Sequence, residues 1–373
     1  MLLPGGFTPL PLWQKAGKCM YPKLLIDAKK VEENTRSVVS LCAAHGLRVV
    51  GVSKDVTCDP AIVRAMMAGG VSAIADSRVD NLMRIQDLTV EKWLIRTPAP
   101  SDAHRIVRYC DLSLNSEVTT IVALNRAAAE AGCVHKVVLM HDLGDLREGF
   151  VDEDELLAAA ELTMKLERVQ LAGIGANLNC LSFVQPDIQK MNQLVNLAHR
   201  VKERFGLGDD FIVSGGNSAS IHMMMTEGLP VQVTDLRLGE ALLFGKERAT
   251  YQFLPGTSND AFVIETEVVE AKRKPSKPWG TIGPDSYGVI REFEDVGEQV
   301  RAIVTGGSQD FDIEVMEPQD PRIKVIASSC DHTVLDVTAC ADDYPVGSTV
   351  RLVCGYHATL HAFTSAFVEK VYV

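Results

Sequence analysis

Arg48-Val49-Val50-Gly51-Val52-Ser53-Lys54 is an apolar run of strand length that ends on a hydroxyl and an amine. Its near-continuous hydrophobicity is the pattern of a strand buried on both faces, as in a parallel sheet covered by helices. Seven further segments share that texture: Ser72–Asp76, Trp93–Thr97, Asp111–Asn115, Lys136–Asp142, Gln170–Ala176, Phe211–Ser214 and Gln232–Leu236. Between the strands lie amphipathic stretches of helical period, Lys29 to His45, Asp59 to Ala68, Glu117 to Ala131, Glu153 to Leu166 and Asp187 to Phe205. Asp59-Pro60 and Pro186-Asp187 read as helix starts, the first with a capping carboxylate ahead of a proline at the first helical position. About eight such units make a closed (β/α)8 barrel.

Beyond about Thr250 the texture changes to strands separated by Gly, Pro and Asp turns: Val263–Glu270, Gln299–Thr305, Ile323–Ala327, Thr333–Val337 and Thr349–Val353. The expected organisation is an N-terminal segment over 1–23, the barrel over 24–250, and a mostly β C-terminal domain over 251–373.

The 373 residues, 46% of them hydrophobic, are enough to bury a sizeable core. A formal net charge of -12 argues against a nucleic-acid or anionic-membrane surface, which would need clustered Lys and Arg, and leaves a small molecule as the expected partner. Nine cysteines without a C-x-x-C pair read as reduced thiols of a cytoplasmic protein. The stretch from Met1 to Trp13 is apolar but broken by Pro4, Gly5, Gly6, Pro9 and Pro11, a poor signal peptide, and Lys18 before Cys19 spoils a lipoprotein reading. No uninterrupted apolar run is long enough to span a bilayer.

In such barrels the active site is built just past the C-terminal ends of the strands. Those positions here are polar: Lys54, Asp76-Ser77-Arg78, Arg96-Thr97, Asn115-Ser116, Asp142, Asn177, Ser214-Gly215-Gly216-Asn217-Ser218 and Arg237. Loop polarity and helix capping alone would explain many of them. Two stand out chemically. Lys54 places an amine at the barrel mouth, where partial desolvation favours Schiff-base chemistry, though a surface lysine opening a loop would look the same. The segment Ser214 to Ser218 offers small residues, backbone N–H groups and hydroxyls, either a phosphate cradle or a tight turn.

Taken in order, the segments resemble the alanine-racemase-fold enzymes that use pyridoxal 5'-phosphate (PLP), and more closely their ornithine racemase-like branch. The resemblance runs from about Tyr21 onward. It rests on Leu25-Ile26-Asp27 with Asn34, Gly51-Val52-Ser53-Lys54, Ala75-Asp76-Ser77-Arg78 with Asn81, and Ser113-Leu114-Asn115-Ser116-Glu117. It continues through Asp142-Leu143-Gly144-Asp145-Leu146-Arg147-Glu148-Gly149, Ser214-Gly215-Gly216-Asn217-Ser218 and Leu236-Arg237-Leu238-Gly239-Glu240.

The resemblance implies a role for each position. Lys54 carries the cofactor and acts as one of two acid/base groups at the substrate's α carbon. Arg147 lies near the cofactor's phenolic oxygen. Ser214, Asn217 and Ser218 belong to the phosphate loop, helped by backbone at Gly239 and Glu240 and by Tyr356. Arg237 faces the pyridine nitrogen, where a cationic donor keeps it unprotonated and holds back side reactions. Asn177 stands where alanine racemases carry a stacking histidine. Gly307-Ser308-Gln309-Asp310 matches their G-Y-x-D segment without its tyrosine. The second base is then sought at His332, first, and Asp310, in a β domain donated by the partner of a homodimer. The implied function is a racemase acting on ornithine or lysine. Alternatives are alanine racemisation, aldol cleavage or dehydration of a D-amino acid with a metal at Cys354, His357 and His361, and non-catalytic PLP binding. The expected assignment includes no metal.

Overall fold

The computed structural model describes residues 21–284, 288–290 and 292–373, so the readings of the N-terminal apolar stretch and of Lys18-Cys19 lie outside the described residues. The chain divides into two units. One is Asp27–Ala261; the other joins the described residues up to Ile26 with Phe262–Val373.

In chain order the strands of the first unit are β2 Arg48–Val52, β3 Ala73–Asp76, β4 Glu91–Leu94, β5 Leu112–Asn115, β6 His135–Met140, β7 Val169–Gly175, β8 Ile212–Ser214 and β9 Asp235–Leu238; β1, Lys23–Ile26, belongs to the second unit. They close into a barrel in sequence order, β9 pairing back onto β2, every pair parallel. The helices around them are α1 Ala28–Ala43, α2 Pro60–Gly69, α3 Val79–Met83, α4 Ala103–Tyr109, α5 Val118–Ala131, α6 Glu153–Met164, α7 Ile188–Phe205, α8 Ser220–Thr226 and α9 Glu240–Phe244. Local chemistry sets their starts. Asp59 accepts the Ala61 amide with Pro60 at the first turn, and Asp187 accepts the Lys190 amide, each satisfying a donor the helix cannot.

Two of the barrel-strand expectations shift most. Gln232–Leu236 becomes Asp235–Leu238, because Pro230 to Val233 close a turn and the ladder with β2 begins at Arg48 opposite Asp235. Trp93–Thr97 becomes Glu91–Leu94, because its neighbour β3 ends at Asp76 opposite Leu94.

The barrel interior is filled by alternate residues: Val50, Val52, Ala73, Ala75, Trp93, Leu112, Leu114, Val138, Met140 and Ile212. Register carries the same face onto β9, where Asp235 and Arg237 lie opposite Arg48 and Val50, and onto Ser214 opposite Gly175 and Asp235. The interior is therefore apolar on one side and polar at β8 and β9. Gly173 is needed where β7 meets β8: a Cβ there would lie 2.4 Å from the Ile212 carbonyl oxygen.

In the second unit β10 Phe262–Pro275 is the spine, antiparallel to β11 Glu298–Thr305, β15 Thr349–Cys354 and β1. β14 His332–Asp336 and β13 Lys324–Ser328 extend the β11 side, and β12 Met316–Pro318 the β15 side. β1 also pairs in parallel with β16 Glu369–Tyr372, and α10 Tyr356–Thr364 follows β15. Residues 24–26, expected at the start of the barrel, thus belong to this sheet.

Candidate active site

Lys54 follows β2 after one intervening residue, Ser53, on the same strand parity as the inward-facing Val50 and Val52, and opens a short 3-10 turn over Lys54–Val56. It is half-buried. Its neighbour Ser53 is buried and turns the other way, donating to the Ala75 carbonyl and the Asp76 carboxylate, 3.2 and 3.1 Å away. Burial pushes the Asp76 carboxyl up; the Asn81 side-chain amide, the Arg78 backbone amide and the Ser53 hydroxyl draw it back. These bonds tie the segment bearing Lys54 to the end of β3.

On β9, the strand beside β2, Arg237 is buried inside the wall. One Nη donates to the Ser214 hydroxyl and the other to the Ala176 carbonyl at 2.7 Å. Ser214 Oγ in turn donates to Asp235 Oδ1 at 2.6 Å, and Thr234 Oγ1 donates to Asp235 Oδ2 at 2.7 Å. Burial pulls the guanidinium below its ordinary value; Asp235 and then Glu148 offset this, while Arg147 adds repulsion. A guanidinium nonetheless stays protonated. Asp235, wholly buried, is pushed up by desolvation and drawn back by the Ser214 and Thr234 hydroxyls, Arg237 and Arg48.

The loop between β8 and α8 lies beside the loop after β7. Asn217 Nδ2 donates to Asn177 Oδ1 at 3.2 Å and to the Leu178 carbonyl at 2.7 Å, and its Oδ1 accepts the Ala219 amide. Ser218 is buried; its hydroxyl accepts the Ala241 amide at 3.3 Å, leaving its own proton to donate. That bond links the loop to α9, where the Glu240 carboxylate pairs with Arg248 at 3.0 Å and Gly239 packs against Val52. Gly216 has φ +110°, and a Cβ on it would sit 2.7 Å from Ser220 Oγ, so only glycine keeps this loop open. Arg147, in the loop after β6, pairs with Glu148 and points one Nη at Cys180 Sγ, 2.7 Å away.

The barrel unit thus holds Lys54, Arg147, Asn177, Ser214, Asn217, Ser218, Arg237, Gly239 and Glu240. Asp310, His332 and Tyr356 belong to the β unit. Asp310 is buried, one oxygen taking the Ser365 hydroxyl at 2.9 Å and the other the Gly307 amide at 3.4 Å. His332 is exposed at the start of β14, and Tyr356 is half-buried at the start of α10, its ring edge-on to His357 at 5.1 Å. Asp235, Asp145 and Cys180 were not singled out from the sequence. For Asp235 a signal existed, since an Asp two residues before an Arg on a strand shares its face.

A family model described as alanine racemase, N-terminal domain, matches residues 26–247. The chain belongs to the alanine racemase family. Within this racemase family, an ornithine racemase of Acetoanaerobium sticklandii is 38% identical over 351 residues, covering 94% of this chain and 99% of that protein. A lysine racemase of Thermotoga maritima is 34% identical over 355 residues, covering 95% and 99%. The solved structure of an alanine racemase from Bartonella henselae with covalently bound pyridoxal phosphate shares the fold, with a TM-score of 0.70 at 14% identity over 95% of this chain and 100% of that one.

The residues of this racemase-family barrel fit the family's cofactor. Asn177 Nδ2 is buried with no protein partner, a donor awaiting an acceptor. The Gly216 turn keeps a space that a Cβ would fill. An amine, a buried guanidinium, an amide donor and a hydroxyl together suit an anionic aldehyde with an aromatic nitrogen. Among the described residues, no three His, Cys, Asp or Glu side chains are grouped as metal ligands, and no helix is long and apolar enough to cross a membrane.

Proposed function

We propose that the protein is a PLP-dependent racemase of basic amino acids, ornithine first and lysine second. The near-full-length relationship to an ornithine racemase and a lysine racemase carries the substrate reading. When bound, PLP supplies the electron sink that makes the substrate's α proton acidic. Lys54 holds the cofactor and moves that proton on one face of the α carbon. Asn217, Ser218 and the backbone at Gly239 and Glu240 hold the phosphate, and the unsatisfied Asn177 amide donates into the same site. Arg147 flanks the phenolic oxygen, and Arg237 donates to the ring nitrogen. Ser214 contributes by holding Arg237, its hydroxyl being already engaged there.

Racemisation needs a second acid/base on the opposite face, because one lysine reaches only one. His332 is first choice: its ring is exposed and an imidazole can both give and take a proton, whereas the Asp310 carboxylate is committed to hydrogen bonds from Ser365 and Gly307. The β unit that carries both comes from the partner in a homodimer. The free thiols of the eight described cysteines agree with a cytoplasmic protein.

The test is an amino-acid screen of the purified protein with added PLP, following the circular dichroism of each L-enantiomer. Loss of signal with ornithine and lysine is expected. Turnover of alanine at a kcat/KM well above both would overturn the substrate assignment.

A further inference from the structure

Inside the barrel an arginine, a hydroxyl and a carboxylate form a chain running along β8 and β9, all three buried. Arg237 donates to Ser214 Oγ, and the Ser214 hydroxyl in turn donates a hydrogen bond to Asp235 Oδ1 at 2.6 Å. The direction is dictated by chemistry: a guanidinium only donates and a carboxylate only accepts, so the hydroxyl between them has one orientation. Asp235 and Arg237 lie two residues apart on one strand, and Ser214 stands opposite Asp235 on the next. Thr234 Oγ1 and Ser214 Oγ each bond one carboxylate oxygen, so the carboxylate cannot rotate without breaking a bond. The second Nη of Arg237 is fixed by the Ala176 carbonyl. With both Nη groups anchored on the wall, the guanidinium plane is set.

We propose that Asp235 is a positioning residue of this enzyme, acting through Ser214 to hold Arg237 as an oriented, charge-balanced donor toward the cofactor's ring nitrogen. The inference rests on the PLP reading above and adds a residue that the resemblance left unassigned. A buried cation without a counter-charge is costly, and the buried Asp235 carboxylate is the largest charge that offsets it, ahead of Glu148. The role differs from simple packing, because removing the charge and removing the bridging hydroxyl should have the same electronic consequence.

The experiment compares wild type, Asp235→Asn, Ser214→Ala and the double variant, each reconstituted with PLP. Asp235→Asn keeps the shape and an acceptor oxygen but loses the charge; Ser214→Ala keeps the charge but breaks the relay. Expected are a shifted visible absorption band in both single variants and a kcat lowered about 10- to 100-fold with KM changed far less, the size seen when a group orienting a functional side chain is lost. The double variant should be no worse than the poorer single, since both act along one path. Should Asp235→Asn fail to fold, the band of Ser214→Ala alone carries the test. A normal wild-type band left unmoved in the variants would overturn the role of Asp235 and spare the PLP reading. A wild type that binds no PLP would overturn both.

Discussion

The carboxylate of Asp145 accepts the backbone amide of Leu181 at 2.9 Å and thereby joins the loop after β6 to the loop after β7. The same buried carboxylate takes the amides of Cys180 and Val184 at 3.2 Å each, and the Ser182 hydroxyl bonds the Asp145 carbonyl at 2.7 Å. Arg147 and Asn177 stand on these two loops, so one side chain fixes their spacing. Leu146, Asn179 and Phe183, on these same two loops, all have positive φ, an unfavourable backbone that the cross-bonding helps to hold. Asp145→Ala should cost about 2–3 kcal/mol through the amides left without an acceptor, and weaken PLP retention. Urea unfolding and dialysis of the holoenzyme check this; stability within about 0.5 kcal/mol of wild type would remove the clamp.

Lys54 is the residue on which covalent cofactor binding depends. The purified protein should be yellow, and borohydride should trap the cofactor on the peptide containing Lys54. Lys54→Ala should lose the trapped adduct and lower racemisation by about 10²–10⁴-fold or more. Mass spectrometry of the digested, reduced protein reads the result; covalent PLP in the variant would reassign the lysine.

Acid sensitivity should trace to His135. Its ring is buried at the start of β6, 2.8 Å from the Ser113 hydroxyl, and burial pulls its pKa down from 6.5 to about 4. The unfolded chain therefore takes up a proton below pH 6.5 that the folded chain refuses until about pH 4. Stability is full above the unfolded value and falls across that window, by about 2 kcal/mol at pH 5 from this group. Chemical unfolding of wild type and His135→Gln at pH 7 and pH 5 isolates the effect. Equal pH slopes in the two proteins would show that His135 does not contribute it.

The second base should reveal itself by an asymmetry. Proton exchange with solvent deuterium, followed separately from each enantiomer, should be lost from one enantiomer only in His332→Ala. Asp310→Asn should lose stability, since the Ser365 hydroxyl and the Gly307 amide bond its carboxylate, and keep exchange from both enantiomers. Symmetric wild-type exchange in both variants would place the base elsewhere.

What the sequence by itself determined is what short-range physics encodes. Eight apolar runs and the helices between them announce the barrel, because burial on both faces of a strand and one face of a helix leaves a periodicity readable along the chain. The caps at Asp59 and Asp187 are equally local, each closing on an amide two or three residues away. The lysine after Val52 was legible as a site residue because strand ends form the mouth of any such barrel.

Tertiary structure alone decided the rest, because the relevant partners are distant in sequence. Leu24 looks like the beginning of the barrel, yet its strand pairs with Ile264 and Lys370, and no local pattern encodes a partner hundreds of residues away. Ser214 reads as part of a phosphate loop, but register puts it opposite Asp235 and commits its hydroxyl to Arg237. Cys180 meets Arg147 only because Asp145 bonds the two loops together. In each case the identity of the residue was plain and its meaning was not, since a polar side chain inside a barrel acquires its role from whichever donor or acceptor the fold brings within about 3 Å.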